Sequence, residues 1–482
     1  MFVWNCNGNE KDMKINLLKG SFTYGAVTIF SRIAAVILIP ILTRLLTPDE
    51  YGALNMALTI VTLANFVVTF EVAQAVTLFF SDRNRSDRDV YPATAIRFSL
   101  FMYLLLLIVV VIFGKTVSGM VGDSNIRGSI IIDGAMLLGA NGCFLFLQNQ
   151  LRIEFKSREY GALTLGYVLL TTLGAITGAL FFPHPAEGVI LGQTGGAAII
   201  DIAGMLMLKK RFSGSFKKEK LREMLKFSFP LVPAGLLLLG GQQVPKFILS
   251  IYGSLEDVGI YGLAYQIAGF SALAVLGVQT AITPSVLANH AEVETPKNLA
   301  TLFENFSIVA LLLCTSLSIF AHELITIFSV PSYGRAANFV PALSFAIALN
   351  NLYIFFPGKI IKGKSASQLM ASAGSFLVAI IAGIILIKLD GVRGAAFSTL
   401  LSAGTFFFIW CYISQKLYHL PVNWVKMFII AALTVTVCTL GIFFMPAGLT
   451  FYVIAIKCVL LLLFSCIIAW EYIVRWWKRY VG

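Results

Sequence analysis

The feature that most constrains this chain is an alternation. About fourteen apolar segments are separated by short gaps, and Lys and Arg collect in every second gap. Of the 36 basic residues, 27 fall on one side and 6 on the other, while Arg32, Lys246 and Lys457 lie deep within apolar stretches. Short loops rich in Lys and Arg stay in the cytoplasm. The pattern therefore predicts a polytopic membrane protein with both termini inside. A bilayer core of ~30 Å takes roughly 20 apolar residues per helix, so fourteen helices use nearly all 482 residues.

Composition excludes the soluble alternatives. Hydrophobic residues make up 58% of the chain and charged residues 12%, with a mean hydropathy of +0.85; a soluble domain of this size needs more polar surface. The net charge of +12 reflects orientation rather than nucleic-acid binding, since eight of the positive residues crowd the Lys209–Lys226 connection, a segment expected to lie along the anionic inner leaflet. The seven cysteines lack metal spacing and mostly sit in apolar segments. The four histidines are scattered, and no Gly-rich phosphate loop is present. The chain is therefore read as neither an enzyme nor a metal or cofactor binder. Residues 1–20 contain no apolar core and so no cleavable signal peptide, and Met13 opens a more ordinary start than Met1.

The expected organisation is a cytoplasmic segment 1–21, an N-lobe 22–208 of helices 1–6, a basic linker 209–226 and a C-lobe 227–415 of helices 7–12. Helices 13 and 14 follow in 423–472, then a cytoplasmic tail 473–482. The two six-helix sets resemble one another. Asp49-Glu50-Tyr51-Gly52 matches Glu256-Asp257-Val258-Gly259 at an offset of 207, and Glu187-Gly188-Val189 matches Asp390-Gly391-Val392 at 203. An acidic residue and a Gly make a common turn, but near-equal offsets point to a repeat. Six helices per copy make the repeats parallel, giving two bundles around a central cleft suited to alternating access.

Within the membrane, Arg32 lies about eleven residues into helix 1, ~16 Å deep at 1.5 Å per residue. It costs at least ~2.5 kcal/mol there unless it meets water, a carboxylate or an anionic ligand. It is read either as a cleft residue gripping phosphate or as an ion pair with Glu71 or Asp201. Gly240-Gly241-Gln242-Gln243-Val244-Pro245-Lys246 is expected to interrupt helix 7, because Pro removes a backbone donor and the glycines do not bridge the break. Gln242, Gln243 and Lys246 become substrate-binding candidates, with snorkelling as the alternative for Lys246. Glu71 in helix 2 and Asp201 in helix 6 are candidates for taking up H+ or Na+. Lys457 is expected to snorkel outward, or else to approach a lipid phosphate.

Leu42-Thr43-Arg44-Leu45-Leu46-Thr47-Pro48-Asp49-Glu50-Tyr51-Gly52 resembles the Wzx-type polysaccharide and O-antigen flippases of the multidrug/oligosaccharidyl-lipid/polysaccharide exporter superfamily. Phe227-Ser228-Phe229-Pro230-Leu231-Val232-Pro233 and Gly391-Val392-Arg393-Gly394-Ala395-Ala396 are similar as well, and the likeness spans residues 15 to about 415. The resemblance implies movement of an undecaprenyl-diphosphate-linked oligosaccharide to the outer leaflet of a bacterial cell membrane. Its setting would be lipopolysaccharide or exopolysaccharide synthesis, beside a polymerase and export machinery. Helices 13 and 14 would form a lipid-tail groove. Val244-Pro245-Lys246 stands where many relatives carry an Asp-Arg pair, keeping the cation and losing the acid. The rivals are a lipid II flippase and a cation-coupled multidrug antiporter, which needs an acidic cavity. A membrane glycosyltransferase or polymerase would need a long external loop, and the sequence has none.

Overall fold

The computed structural model describes residues 33–81, 87–120, 128–273, 294–358, 366–444 and 448–480, with residues 27, 30, 31, 275 and 292. Among the described residues there is no strand. The helices are α1 (Ile33–Leu45), α2 (Pro48–Thr69), α3 (Val72–Ser81), α4 (Val90–Met120), α5 (Gly128–Ile153), α6 (Ser157–Phe181) and α7 (Pro185–Met207). They continue as α8 (Lys218–Ser228), α9 (Leu231–Tyr252), α10 (Leu255–Ala268), α11 (Thr295–Ile319), α12 (Ala321–Phe328) and α13 (Val340–Leu352). The stretch Ala366–Leu417 leaves helical geometry at Asp390 and at Gly391, whose φ is 49°, so it is two helices, α14 (366–389) and α15 (392–417). Last come α16 (Trp424–Phe444) and α17 (Phe451–Tyr480).

Among the described residues, nine helices are long and apolar enough to cross a membrane, or ten if a pair bent by 56°, Pro331–Asn338 with Val340–Phe355, is one span. That count is made over the described residues alone and takes Gln368–Leu417, which holds predicted helices 11 and 12, as one span. Predicted helix 2, read as continuous over 53–79, is broken into α2 and α3 at Phe70 and Glu71. These are two successive non-glycine residues with φ of 48° and 54°, each in a left-handed conformation costing of order 1–3 kcal/mol. The membrane character shows on the outer faces. Leu104, Ile108 and Ile112 follow one another at four-residue spacing on α4 and are all exposed, as is Phe428 on α16. Such a belt is sustainable in lipid and costly in water. The protein is a multi-pass, all-helical membrane protein.

The chain divides into two compact units, one holding residues up to Leu46 with Met56–Leu236, the other Thr47–Asn55 with Leu237–Gly482. In the first, Val72, Val76, Tyr91, Leu147, Leu151 and Met224 form a core. Helices α6 and α7 meet backbone to backbone there: a Cβ on Gly178 would come within 1.8 Å of the Gly188 carbonyl oxygen, and one on Gly188 within 2.1 Å of that of Gly178. Small residues permit this approach, which is a main source of helix association in lipid. The basic linker is tied to this unit. Lys220 pairs with Asp87, Tyr91 donates to Glu223 at 2.6 Å, and Arg211 bridges Asp89 at 2.7 Å and Glu154 at 3.1 Å.

In the second unit the sequence repeat becomes a structural one. Thr47 and Glu50 cap α2 reciprocally, with Thr47 N donating to Glu50 Oε2 (2.9 Å) and Glu50 N to Thr47 Oγ1 (3.3 Å). Ser254 and Asp257 do the same for α10 at 3.3 and 3.1 Å. The repeated acidic residue is thus half of a capping box, worth about 1 kcal/mol. The repeated glycines cross each other. A Cβ on Gly52 would lie 1.9 Å from the Leu255 oxygen, and one on Gly259 2.0 Å from the Pro48 oxygen. Each contact is the other displaced by the repeat offset, as a local two-fold requires. Elsewhere in this unit, Phe303, Phe355, Phe356, Phe406, Phe407 and Trp410 build an aromatic core.

Candidate substrate cavity

The interruption expected in helix 7 is absent: α9 runs unbroken from Leu231 to Tyr252 with Pro245 inside it. Pro245 has no N–H for the carbonyl four residues back, which belongs to Gly241. That oxygen is satisfied from elsewhere, by Ser402 Oγ at 3.1 Å, and Ser402 in turn shares a 2.9 Å hydrogen bond with Ser375. The missing side chains at Gly240 and Gly241 make room for Phe376 and Ser375 on α14. A protein hydroxyl therefore takes over the task that the sequence reading gave to a broken helix.

The intact helix fixes the geometry of its polar residues. Gln242 and Lys246 are one turn apart, on the same face and separated by ~6 Å along the axis. Lys246 is 7% exposed, and its ammonium stands 5.9 Å from the centroid of the Tyr265 ring, within cation–π range. Gln242 lines a cavity of about 200 Å³ together with Tyr265, Asn350, Asn351, Tyr353 and Phe406. The aromatic wall is held from behind: Tyr265 stacks on Tyr261, whose hydroxyl shares a 2.8 Å bond with Thr399. Tyr353 packs edge-on against Phe406 with centroids 5.4 Å apart. Gln243 is half-buried but is not part of this wall. The sequence reading missed Asn350 and Asn351, although two adjacent amides inside an apolar segment were a visible signal.

The carboxylates form a separate group in the first unit. Asp201 is 7% exposed, and its Oδ1 has no hydrogen-bond partner among the described residues. It acts electrostatically on Cys143, Tyr103 and Tyr167. Tyr103 lies within electrostatic range of Glu71 as well. The hydroxyl of Tyr103 donates to Asn65 at 2.8 Å, and that of Tyr167 donates to Asn141. Glu71 sits in the left-handed break and is hydrogen-bonded by Gln74. Arg32 lies outside the described residues. Lys457 neither snorkels nor reaches for lipid: it is 3% exposed and its ammonium lies 2.7 Å from Glu323 Oε1. The Gly448 N–H donates to that same oxygen at 3.1 Å, so the pair joins α12 to the start of α17.

Residues 17–285, more than half of the chain, match the family described as polysaccharide biosynthesis protein. The chain belongs to that family. Its fold is shared with the lipid II flippase MurJ in an inward closed conformation, at a TM-score of 0.74 and 14% identity, over 93% of this chain and 99% of MurJ. An inward-facing multidrug resistance MATE transporter of the MOP superfamily superposes with a TM-score of 0.62 at 12% identity, over 80% of this chain and 94% of its own. A MOP superfamily transporter from Pyrococcus furiosus does so at 0.58 and 13%, over 85% and 95%. No curated protein sequence matches significantly.

Proposed function

We propose that this polysaccharide biosynthesis protein is a flippase for undecaprenyl-diphosphate-linked oligosaccharide. It would carry the lipid from the inner to the outer leaflet of a bacterial cell membrane by alternating access, in the synthesis of a surface polysaccharide such as O-antigen. One observation carries the reading: a buried ammonium and a polar, ring-lined cavity occupy one face of α9, a turn apart. An ammonium at membrane depth suits a diphosphate. Amides beside aromatic rings suit a sugar, because an amide both donates and accepts toward hydroxyls. Lys246 holds the diphosphate, with Arg32 as a further phosphate ligand, while Gln242 and Gln243 serve the glycan. Glu71 and Asp201 take up the H+ or Na+ that drives the cycle. Both termini are placed in the cytoplasm by the basic gaps.

The test is reconstitution in liposomes with a fluorescent undecaprenyl-diphosphate oligosaccharide, following leaflet exposure by quenching. Protein-dependent flipping is the expected result. Transport of a cationic dye without lipid flipping would instead assign the chain to multidrug antiport.

A further inference from the structure

The cavity beside Gln242 is a more specific object than a generally polar region. Its volume of about 200 Å³ is below the range of roughly 300–1,000 Å³ typical of drug-sized ligands, so it admits one ring rather than an extended chain. Two of its three amides are not spent on the protein. Asn351 donates to its own helix at Ile347 O, 2.7 Å away. The amides of Gln242 and Asn350, both half-buried in the wall of the cavity, have no such bond among the described residues. Half-buried amides with open valences beside fixed aromatic faces are a recognition surface for something rich in hydroxyls. A lipid tail would leave them unpaired, and a cationic drug would find no carboxylate among the described residues of this wall.

Position along α9 narrows the ligand further. The cavity residue Gln242 is one turn, ~6 Å, from the ammonium-bearing Lys246, with Tyr265 common to both. In a glycosyl diphosphate the sugar bonded through its anomeric oxygen is the ring next to the phosphates, and later rings lie farther off. We propose that this cavity is a subsite for the single sugar ring attached to the diphosphate, with Gln242 and Asn350 bonding its hydroxyls and Tyr265 and Tyr353 flanking the ring. The proposal rests on the flippase reading and adds to it that the C-terminal unit discriminates substrates by their first sugar.

The test compares reconstituted wild type, Asn350→Leu and Asn350→Asp on two lipids, undecaprenyl diphosphate bearing one hexose and undecaprenyl diphosphate bearing none. Wild type should favour the glycosylated lipid by about tenfold or more in kcat/KM, because unpaired amides penalise the lipid without hydroxyls. Both variants should narrow that preference by raising KM for the glycosylated lipid alone. Equal rates on both lipids in wild type overturn the subsite. So does a preference that survives both substitutions, or an equal loss on both lipids, which marks Asn350 as structural. Wild type that flips neither lipid strikes at the flippase reading itself, a separate outcome.

Discussion

The two units are equipped differently. In the first, the groups left over within the membrane are acids: Asp201 with an unpartnered oxygen, and Glu71 in a strained turn, both acting on Tyr103. In the second, Lys246 is buried against an aromatic ring beside a cavity lined by amides. The acids of the first unit suit a small cation, and the ammonium of the second suits a large anion. The comparison supports the proposed division of labour, with ion coupling in the first unit and cargo in the second.

The sharpest way to break this division is Lys246→Gln. A charge-assisted interaction contributes about 1.5–3 kcal/mol, so flipping of the diphosphate lipid should fall roughly 10–100-fold in kcat/KM. The response to an imposed ion gradient should be preserved in relative terms. Normal flipping by this variant at normal membrane levels would remove the second unit's claim on the phosphate.

A smaller effect is expected from the first unit. Asp201→Asn keeps the shape of the side chain and deletes its charge. Glu71→Asn does the same at a left-handed position that Asn tolerates well. Both should abolish stimulation by a proton or sodium gradient, several-fold in initial rate, and leave KM for the lipid unchanged. A shift in KM with intact gradient stimulation would reverse the roles of the units.

How much of this was legible in the sequence depends on the range of the interaction. The matching acid-and-glycine segments were visible as a repeat, but their meaning was not: capping is local, whereas the Gly52–Gly259 crossing needs two distant segments to meet. Pro245 was rightly singled out as a backbone problem. Its remedy is a hydroxyl at position 402, far along the chain, so helix 7 was expected to break where it does not. Predicted helix 2 was expected to be intact where it breaks, because Phe70-Glu71 carries no turn chemistry and tertiary packing imposes the conformation. Phe70 stacks on Phe229 at 5.9 Å and approaches Phe98 at 6.4 Å. For Lys457, depth alone suggested snorkelling, since nothing in the sequence tied it to Glu323.

The mildest test of the division concerns the linker between the repeats, which is fastened to the first unit by exposed and half-exposed ion pairs. Burial by itself would raise the Glu154 carboxyl. Hydrogen bonds from Lys156 and Gln150 and the charges of Arg211 and Lys156 outweigh it and hold the group below its ordinary value. A depressed carboxyl contributes stability that is fully present above the unfolded value, about 4.3 for Glu, and is lost as pH falls through the lower folded value. Acidification through that window should therefore loosen residues 209–226, seen as faster amide hydrogen exchange there. Exchange in α13, which belongs to the second unit, should stay unchanged. Arg211 is about a third exposed, so the effect is small and should shrink further in high salt. Glu154→Gln should reduce the pH response of the linker, leaving the part carried by Asp87, Asp89 and Glu223. If the linker exchanges at the same rate across this window, its docking to the first unit rests on apolar contacts such as Met224 and Leu221 against the α3 and α5 core, and the charges only set its orientation.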